Sequence, residues 1–193
     1  MTFTQLANMS RQTPKYKLQV SAGLRTAAAA DFLGTTAETF ALIGAILSII
    51  QPDLYDVGME GLKVLYRDPS LVETPEILRE VLNLWMVPFS GLSVISNRIT
   101  PLHRDCNGRK EWMDLLVALG RYHQGLFCIP GLGLELLYNP GTVVGIAGKV
   151  LQHGVECNGE RACLAFYMRD RVHERLGLRA PRWFNVEGLI SPV

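Results

Sequence analysis

His103 and Asp105 form a His-x-Asp pair within the segment TPLHRD. Side chains alternate between the two faces of a β-strand, so both would point the same way while Arg104 points away. Farther along the chain, His153 lies in another short apolar segment, LQHGVEC. Two histidines and one carboxylate form a facial triad, which suits Fe(II) and leaves positions open for a chelating cosubstrate and dioxygen. The sequence therefore predicts an iron centre formed by His103, Asp105 and His153.

Arg161 begins the segment RACLAFYMRD. A strand here would place Arg161, Cys163 and Tyr167 on one face and the apolar Leu164 and Phe166 on the other. A guanidinium group can hold a carboxylate through two parallel hydrogen bonds. The pattern predicts that Arg161 anchors the distal carboxylate of a dicarboxylic keto acid. The alternative is that Arg161 merely begins a surface strand.

Composition limits the class of protein that can present these residues. The chain has 193 residues, of which 48% are hydrophobic and 19% charged, with a net charge of +1. These values indicate one globular domain and exclude disordered, collagen-like and strongly basic nucleic-acid coat proteins. The four cysteines form no CxxC pair, and no secretory signal is visible at the start. We therefore expect an intracellular protein that is not secreted.

The first part of the chain is typical of helices. Apolar residues recur at helical spacing from residue 35 to residue 85, and Pro52 and Pro75 stand where helices would begin. The apolar run Phe40–Ile50 is shorter than the ~20 residues that cross a bilayer. We interpret it as a buried core helix and expect no membrane association.

From Phe89 onward, short apolar segments are separated by Gly, Pro and Asn. Eight such segments match the strand count of a jelly roll. They are GLSVISNR, TPLHRD, WMDLLVALG, HQGLFCIP, LELLYN, TVVGIAG, LQHGVEC and RACLAFYMR. The predicted fold class is α+β, with a double-stranded β-helix (jelly roll) core and N-terminal helices packed on one sheet. The expected division of this single domain is helical support at 1–88, core at 89–171, and a C-terminal helix and coil at 172–193.

The order of His103, Asp105, His153 and Arg161 on eight strands resembles the Fe(II)/2-oxoglutarate dioxygenase superfamily. The spacing of the last strand is similar to that of its TET/JBP branch, which oxidises methylated bases in DNA. The resemblance implies the cofactor Fe(II), the cosubstrates 2-oxoglutarate and O2, and a fold with the triad at its centre.

The same resemblance implies further roles, residue by residue. Arg98 and Cys163 are expected beside 2-oxoglutarate together with Arg161, and Tyr167 is expected to stack on a flipped base. Arg169 stands where the branch often has a histidine that touches the base. Asn107, in the context TPLHRDCNG, completes the expected substrate-binding set.

The implied substrate is DNA containing methylated bases, reached by base flipping. The leading expectation is oxidation of 5-methylcytosine to 5-hydroxymethylcytosine and beyond, in the nucleus. One alternative keeps the chemistry and changes the substrate to N6-methyladenine or another methylated base, a protein side chain or a small metabolite. A second alternative is a non-enzymatic jelly-roll binding module, and a third places zinc at Cys157, Cys163 and His153.

Two segments of the chain are strongly positive although the net charge of the whole chain is small. The segment 161–182 contains six arginines and two acidic residues, which leaves a local charge of +4, and the segment NGRK at 107–110 adds two positive charges. Both are expected at the mouth of the barrel, where they would contact phosphates. His123 and His173 are expected at the surface.

Overall fold

The computed structural model describes residues 17–106 and 108–183. Four helices precede the sheet: α1 Ala27–Thr35, α2 Ala37–Ile50, α3 Pro52–Arg67 and α4 Pro75–Leu84. Both prolines occupy the first helical position, where the missing N–H costs no hydrogen bond. A short helix, α5 Asp170–Arg175, follows the sheet. The rest of the predicted C-terminal segment, 184–193, lies outside the described residues, and the proposed division of the domain stays a prediction.

The sheet contains six described strands, all paired in antiparallel fashion. They are β1 Gly91–Ser96, β2 Thr100–His103, β3 Asp114–Ile129, β4 Leu134–Leu137, β5 Val143–Ile146 and β6 His153–Tyr167. The long strands β3 and β6 pair with each other from Leu115↔Phe166 to Cys128↔Gly154. One half of this pair is flanked by β1 and β5, and the other half by β2 and β4.

The prediction of eight strands is corrected to six. The third and fourth predicted segments are continuous in β3, and the seventh and eighth are continuous in β6. Gly120 and Gly159 adopt positive φ angles of 124° and 116°, a conformation that glycine tolerates and other residues rarely adopt. The sequence shows these glycines as breaks, but the chain bends there without leaving the ladder. Each half still contains four strand segments, as in a jelly roll.

The helices cover the outer face of the half that contains β1 and β5. Phe40 of α2 packs edge to face on Phe166 of β6, with 5.1 Å between ring centroids. Leu164 and Met168 are also buried against the helices, which confirms the α+β arrangement predicted from the sequence.

Among the described helices none is long and apolar enough alone to cross a membrane. α1 and α2 reach that length and hydropathy only as a pair, which is bent by 61°.

The bend at Gly120 predicts a measurable effect on stability. A Cβ at this position would collide with the carbonyl oxygen of Glu160 on the neighbouring strand, and its φ is positive. We expect Gly120→Ala to lower the free energy of unfolding by at least about 2 kcal/mol in urea titrations. Gly34→Ala, in helix α1 with no atom near the added methyl, is the control and should raise stability by about 0.5–1 kcal/mol. Equal effects of the two substitutions would contradict the role assigned to Gly120.

Candidate active site

A cavity of about 300 Å³ lies between the two halves of the sheet. One wall comes from the half that contains β1, and the facing wall comes from β2 and the first residues of β6. The predicted residues His103, Asp105, His153, Arg161, Cys163, Tyr167 and Arg169 all border this cavity. The fold therefore brings them together, although up to 66 positions separate them along the chain.

The two histidines face each other across a strand pair. His103 on β2 lies directly opposite His153 on β6, and their ring centroids are 4.4 Å apart. Asp105 Oδ1 lies 3.6 Å from His103 Nε2, and Asp105 Oδ2 lies 3.9 Å from His153 Nε2. One ligand atom from each residue falls within 4.8 Å of the others, and this is the potential metal-binding group found among the described residues. The alternative zinc set, which includes Cys157 and Cys163, does not form there.

The backbone fixes which nitrogen of each histidine faces the cavity. His103 Nδ1 lies 2.8 Å from the carbonyl oxygen of Pro101, and His153 Nδ1 lies 3.0 Å from that of Leu151. Because a carbonyl oxygen can only accept a hydrogen bond, each Nδ1 is the nitrogen that carries hydrogen and donates this bond. The lone pair of each Nε2 is then free to bind a metal. The ring of His153 also stacks on Phe127, with an interplanar angle of 8°. Two imidazole nitrogens and one carboxylate, oriented in this way, fit Fe(II).

Asp105 reaches the site from a loop rather than from a strand, because β2 ends at His103. Its backbone N–H donates to the carbonyl of Gly148 in the β5–β6 loop. A Cβ on Gly148 would collide with Asp105 Oδ2. On the flanks, Arg104 donates to the carbonyl of Val150, and Lys149 Nζ donates to that of Cys106. The β5–β6 loop thus sets the position of the carboxylate. The prediction that a strand holds Asp105 beside His103 is wrong, because the strand ends at His103.

Arg161 is buried at one end of the cavity, with an exposed fraction of only 5%. Its Nη2 donates to the carbonyl of Arg98 at 3.2 Å and to the hydroxyl of Thr100 at 2.8 Å. Its backbone N–H donates to Asn97 Oδ1. None of these described partners is a carboxylate, so the charge of the guanidinium is not neutralised by the protein there. A buried cation of this kind favours an anionic ligand.

The other two predicted cosubstrate residues lie in different environments. Cys163 is buried and borders the cavity, and its Sγ lies 3.6 Å from the hydroxyl of Tyr138. Burial raises the pKa of the Cys163 thiol, so it stays neutral. Arg98 has an exposed side chain that does not border the cavity, and it contributes only its carbonyl, to Arg161. Roles for both residues beside 2-oxoglutarate stay predictions.

Tyr167 borders the cavity at the end of β6 farthest from His153. Its cross-strand partner on β1 is Gly91, and any Cβ there would overlap the Tyr167 ring. The missing side chain therefore makes room for the ring. The guanidinium of Arg169 lies 5.6 Å from the centre of this ring, within the range of a cation–π contact. Asn107, the last predicted substrate residue, lies outside the described residues.

Several positive charges lie away from the cavity mouth. Arg179 and Arg182 pair with Asp53 of α3, in the helical layer. Arg109 pairs with Asp170 and Glu174, so its charge is already partly neutralised. The prediction that these arginines ring the mouth is wrong for the two that pair with Asp53.

His173 is buried against Trp112, with 5.1 Å between the ring centroids. The prediction that it lies at the surface is wrong, because α5 turns its apolar face inward. Burial lowers the pKa of His173 to about 4, so the ring is neutral at physiological pH.

Three residues of the site are not apparent from motif spacing. Thr100 orients Arg161, Gly148 accommodates Asp105, and Asp114 borders the cavity. For Asp114 the sequence contains one indication of a role in the site, because it is the charged residue in the otherwise apolar strand segment WMDLLVALG.

The close contact of Gly148 with Asp105 predicts an effect on metal binding. Gly148→Ala would push the carboxylate away from the two histidines, and changes next to a metal ligand cost about 10- to 100-fold in affinity. We expect that loss in anaerobic Fe(II) titrations. Gly131→Ala, where nothing approaches the added methyl, should bind Fe(II) like the unmodified protein. Unchanged affinity in a folded Gly148→Ala variant would contradict the proposed positioning.

Comparisons with known proteins bear on the fold and on the family of the chain. The fold is similar to the structure of NgTET1 in complex with 5mC DNA, with a TM-score of 0.57 and 15% sequence identity. The matched region covers 84% of this chain and 58% of the NgTET1 chain, so the protein spans less than two thirds of that structure. A search of curated proteins gave no match. The family model Tet_JBP, described as the oxygenase domain of the 2OGFeDO superfamily, matches residues 4–170. The chain therefore belongs to the Tet_JBP family and is an oxygenase domain of the 2-oxoglutarate and Fe(II) dioxygenase superfamily.

Proposed function

We propose that this oxygenase acts on 5-methylcytosine in DNA, forming 5-hydroxymethylcytosine and then oxidising that product further. One observation carries the proposal: the triad, the buried Arg161 and the aromatic Tyr167 border a single cavity. The similarity in fold to NgTET1, which was solved with 5mC DNA, supports the choice of base.

The triad would hold Fe(II) through His103 Nε2, His153 Nε2 and a carboxylate oxygen of Asp105. When bound, iron and 2-oxoglutarate supply oxygen activation, in which one atom of O2 enters a methyl C–H bond and the other enters succinate as CO2 leaves. The protein orients the reactants and limits access of water. Arg161 would bind the distal carboxylate of 2-oxoglutarate, because its guanidinium has donors left over after its bonds to Arg98 and Thr100.

The base must leave the duplex to reach this cavity. Tyr167 offers an aromatic ring for such a base, and the ring fits against Gly91 because that residue has no side chain. Stacking of a base on an aromatic ring is worth about 1–3 kcal/mol. Arg169, beside that ring, adds a positive charge suited to a nearby phosphate or to the base itself. These contacts support a flipped nucleotide as the substrate.

Binding to duplex DNA should be weak and should fall as salt rises. The net charge is only +1, and Arg109, Arg179 and Arg182 are paired with acidic groups. A DNA substrate would place the protein in the nucleus, which we include in the proposal.

The proposal is tested by incubating the protein with Fe(II), 2-oxoglutarate and DNA that contains either 5-methylcytosine or N6-methyladenine. Mass spectrometry of the nucleosides should show 5-hydroxymethylcytosine with the unmodified protein, and at least about 100-fold less with Asp105→Ala, which removes an iron ligand. Succinate formation without a modified base would contradict the assignment of DNA as substrate. Oxidation of N6-methyladenine alone would keep the chemistry and overturn the choice of base.

Arg161 is tested by its effect on cosubstrate affinity. Removing a charge-assisted bidentate contact costs about 2–4 kcal/mol, so Arg161→Ala should raise the KM for 2-oxoglutarate by about 30- to 1000-fold. Arg98→Ala is the comparison, because it removes a neighbouring positive side chain and leaves the carbonyl in place. Steady-state kinetics with varied 2-oxoglutarate measures both. A larger effect of Arg98→Ala than of Arg161→Ala would identify Arg98 as the anchor instead.

A further inference from the structure

Asn97 directly follows β1 and holds the backbone of Arg161 on the neighbouring strand. Ser96 pairs with Ala162, so Asn97 and Arg161 are the next facing residues. The backbone N–H of Asn97 donates to the carbonyl of Arg161 at 2.7 Å, and Asn97 Oδ1 accepts from the backbone N–H of Arg161 at 2.9 Å. Facing residues of an antiparallel ladder can exchange two backbone hydrogen bonds. Here a side-chain oxygen takes the place of the backbone carbonyl in one of them.

This change of acceptor allows the chain to leave the sheet at Asn97. Its φ is 48°, in the left-handed region that asparagine adopts more readily than most residues with a side chain. The chain turns there toward β2 and brings two acceptors to Arg161 Nη2. They are the carbonyl of Arg98 at 3.2 Å and the hydroxyl of Thr100 at 2.8 Å. The segment 97–100 therefore binds both the backbone and the guanidinium of Arg161.

The orientation of Arg161 depends strongly on this segment. The facing residue on the other side, in β3, is Gly120, which has no side chain to contact the arginine. The hydrogen bonds of the guanidinium to described residues all go to the segment that begins at Asn97. An arginine side chain has several rotatable bonds, and fixing them before a ligand arrives raises the affinity for that ligand.

We propose that Asn97 is a positioning residue for the cosubstrate, because it holds Arg161 in the orientation that binds the distal carboxylate of 2-oxoglutarate. This inference rests on the proposed role of Arg161. Asn97 is exposed and does not border the cavity, so it acts through Arg161 and does not touch the ligand. Its loss should weaken binding of the distal carboxylate and leave binding at the triad unchanged.

Two ligands separate this role from a general loss of structure. 2-Oxoglutarate has the distal carboxylate, whereas 2-oxobutyrate has the same keto acid end without it. Anaerobic calorimetry of the Fe(II)-loaded protein gives both dissociation constants without turnover. The unmodified protein should bind 2-oxoglutarate at least about 30-fold more tightly than 2-oxobutyrate.

Asn97→Gly keeps the left-handed backbone accessible and removes the side-chain acceptor. Its dissociation constant for 2-oxoglutarate should rise about 3- to 10-fold, and that for 2-oxobutyrate should not change. Because the Asn97 side chain is exposed, water can replace the lost oxygen and the variant should fold. Asn97→Ala also places a Cβ at a positive φ, so its dissociation constant for 2-oxoglutarate should rise further, by about 10- to 50-fold.

A second measurement needs no ligand. The backbone N–H of Arg161 is bonded to Asn97 Oδ1, so its hydrogen exchange, followed by NMR, should be faster in Asn97→Gly. Gln124→Gly is the matched control. Gln124 is exposed and, among the described residues, is the other non-glycine residue with a positive φ, of 58°. This control should leave both dissociation constants and the exchange of the Arg161 amide unchanged.

An unchanged dissociation constant for 2-oxoglutarate in Asn97→Gly, or equal weakening of both ligands, would overturn the inference. If the unmodified protein shows no preference for 2-oxoglutarate over 2-oxobutyrate, the proposed role of Arg161 is wrong instead. The two failures are therefore separate outcomes of the same experiment.

Discussion

The bend in β6 is the constraint on which the candidate site depends. This strand begins with a predicted metal ligand, His153, includes Arg161, and ends with Tyr167. Eight residues of extended strand span about 26 Å, yet His153 and Arg161 border the same cavity of about 300 Å³. The strand must therefore curve between them, and Gly159, with its φ of 116°, lies in that interval. Without the curve, the metal and the far end of a five-carbon dicarboxylate could not be held together.

The partner strand β3 has to follow the same path. Gly120 approaches the carbonyl of Glu160 closely, and the ladder between the two strands shifts register between His123 and Leu126. These irregular positions leave four strand segments on each side of the cavity. The helices stabilise only the outer face of one half, so the inner faces remain available for polar side chains. Rigid strands with fixed side chains suit a site that must hold several groups at defined distances.

Much of the fold and of the site was predictable from the sequence. Alternation in RACLAFYMR separates the face of Leu164 and Phe166, which packs on the helices, from that of Arg161 and Tyr167, which borders the cavity. Proline at the start of α3 and α4 marked both helices. The continuity of β3 and β6 was not predictable, because a glycine that bends a strand and one that ends it look the same in a sequence.

Long-range contacts explain the remaining differences. Gly148 is required next to Asp105 only because the β5–β6 loop folds onto the segment after β2. The charges of Arg179 and Arg182 suggested a nucleic-acid contact, but Asp53, far away in the sequence, pairs with both. His173 has a polar neighbourhood along the chain, whereas its surroundings in space include Trp112. Composition and spacing do not contain these pairings.

The most direct test of the central claim is an anaerobic calorimetric titration of the folded protein with 2-oxoglutarate, with and without Fe(II). If the triad and Arg161 form one site, 2-oxoglutarate should bind tightly only after Fe(II), with one of each per chain. Binding that is equally tight without the metal, or absent when Fe(II) is bound, would contradict the account.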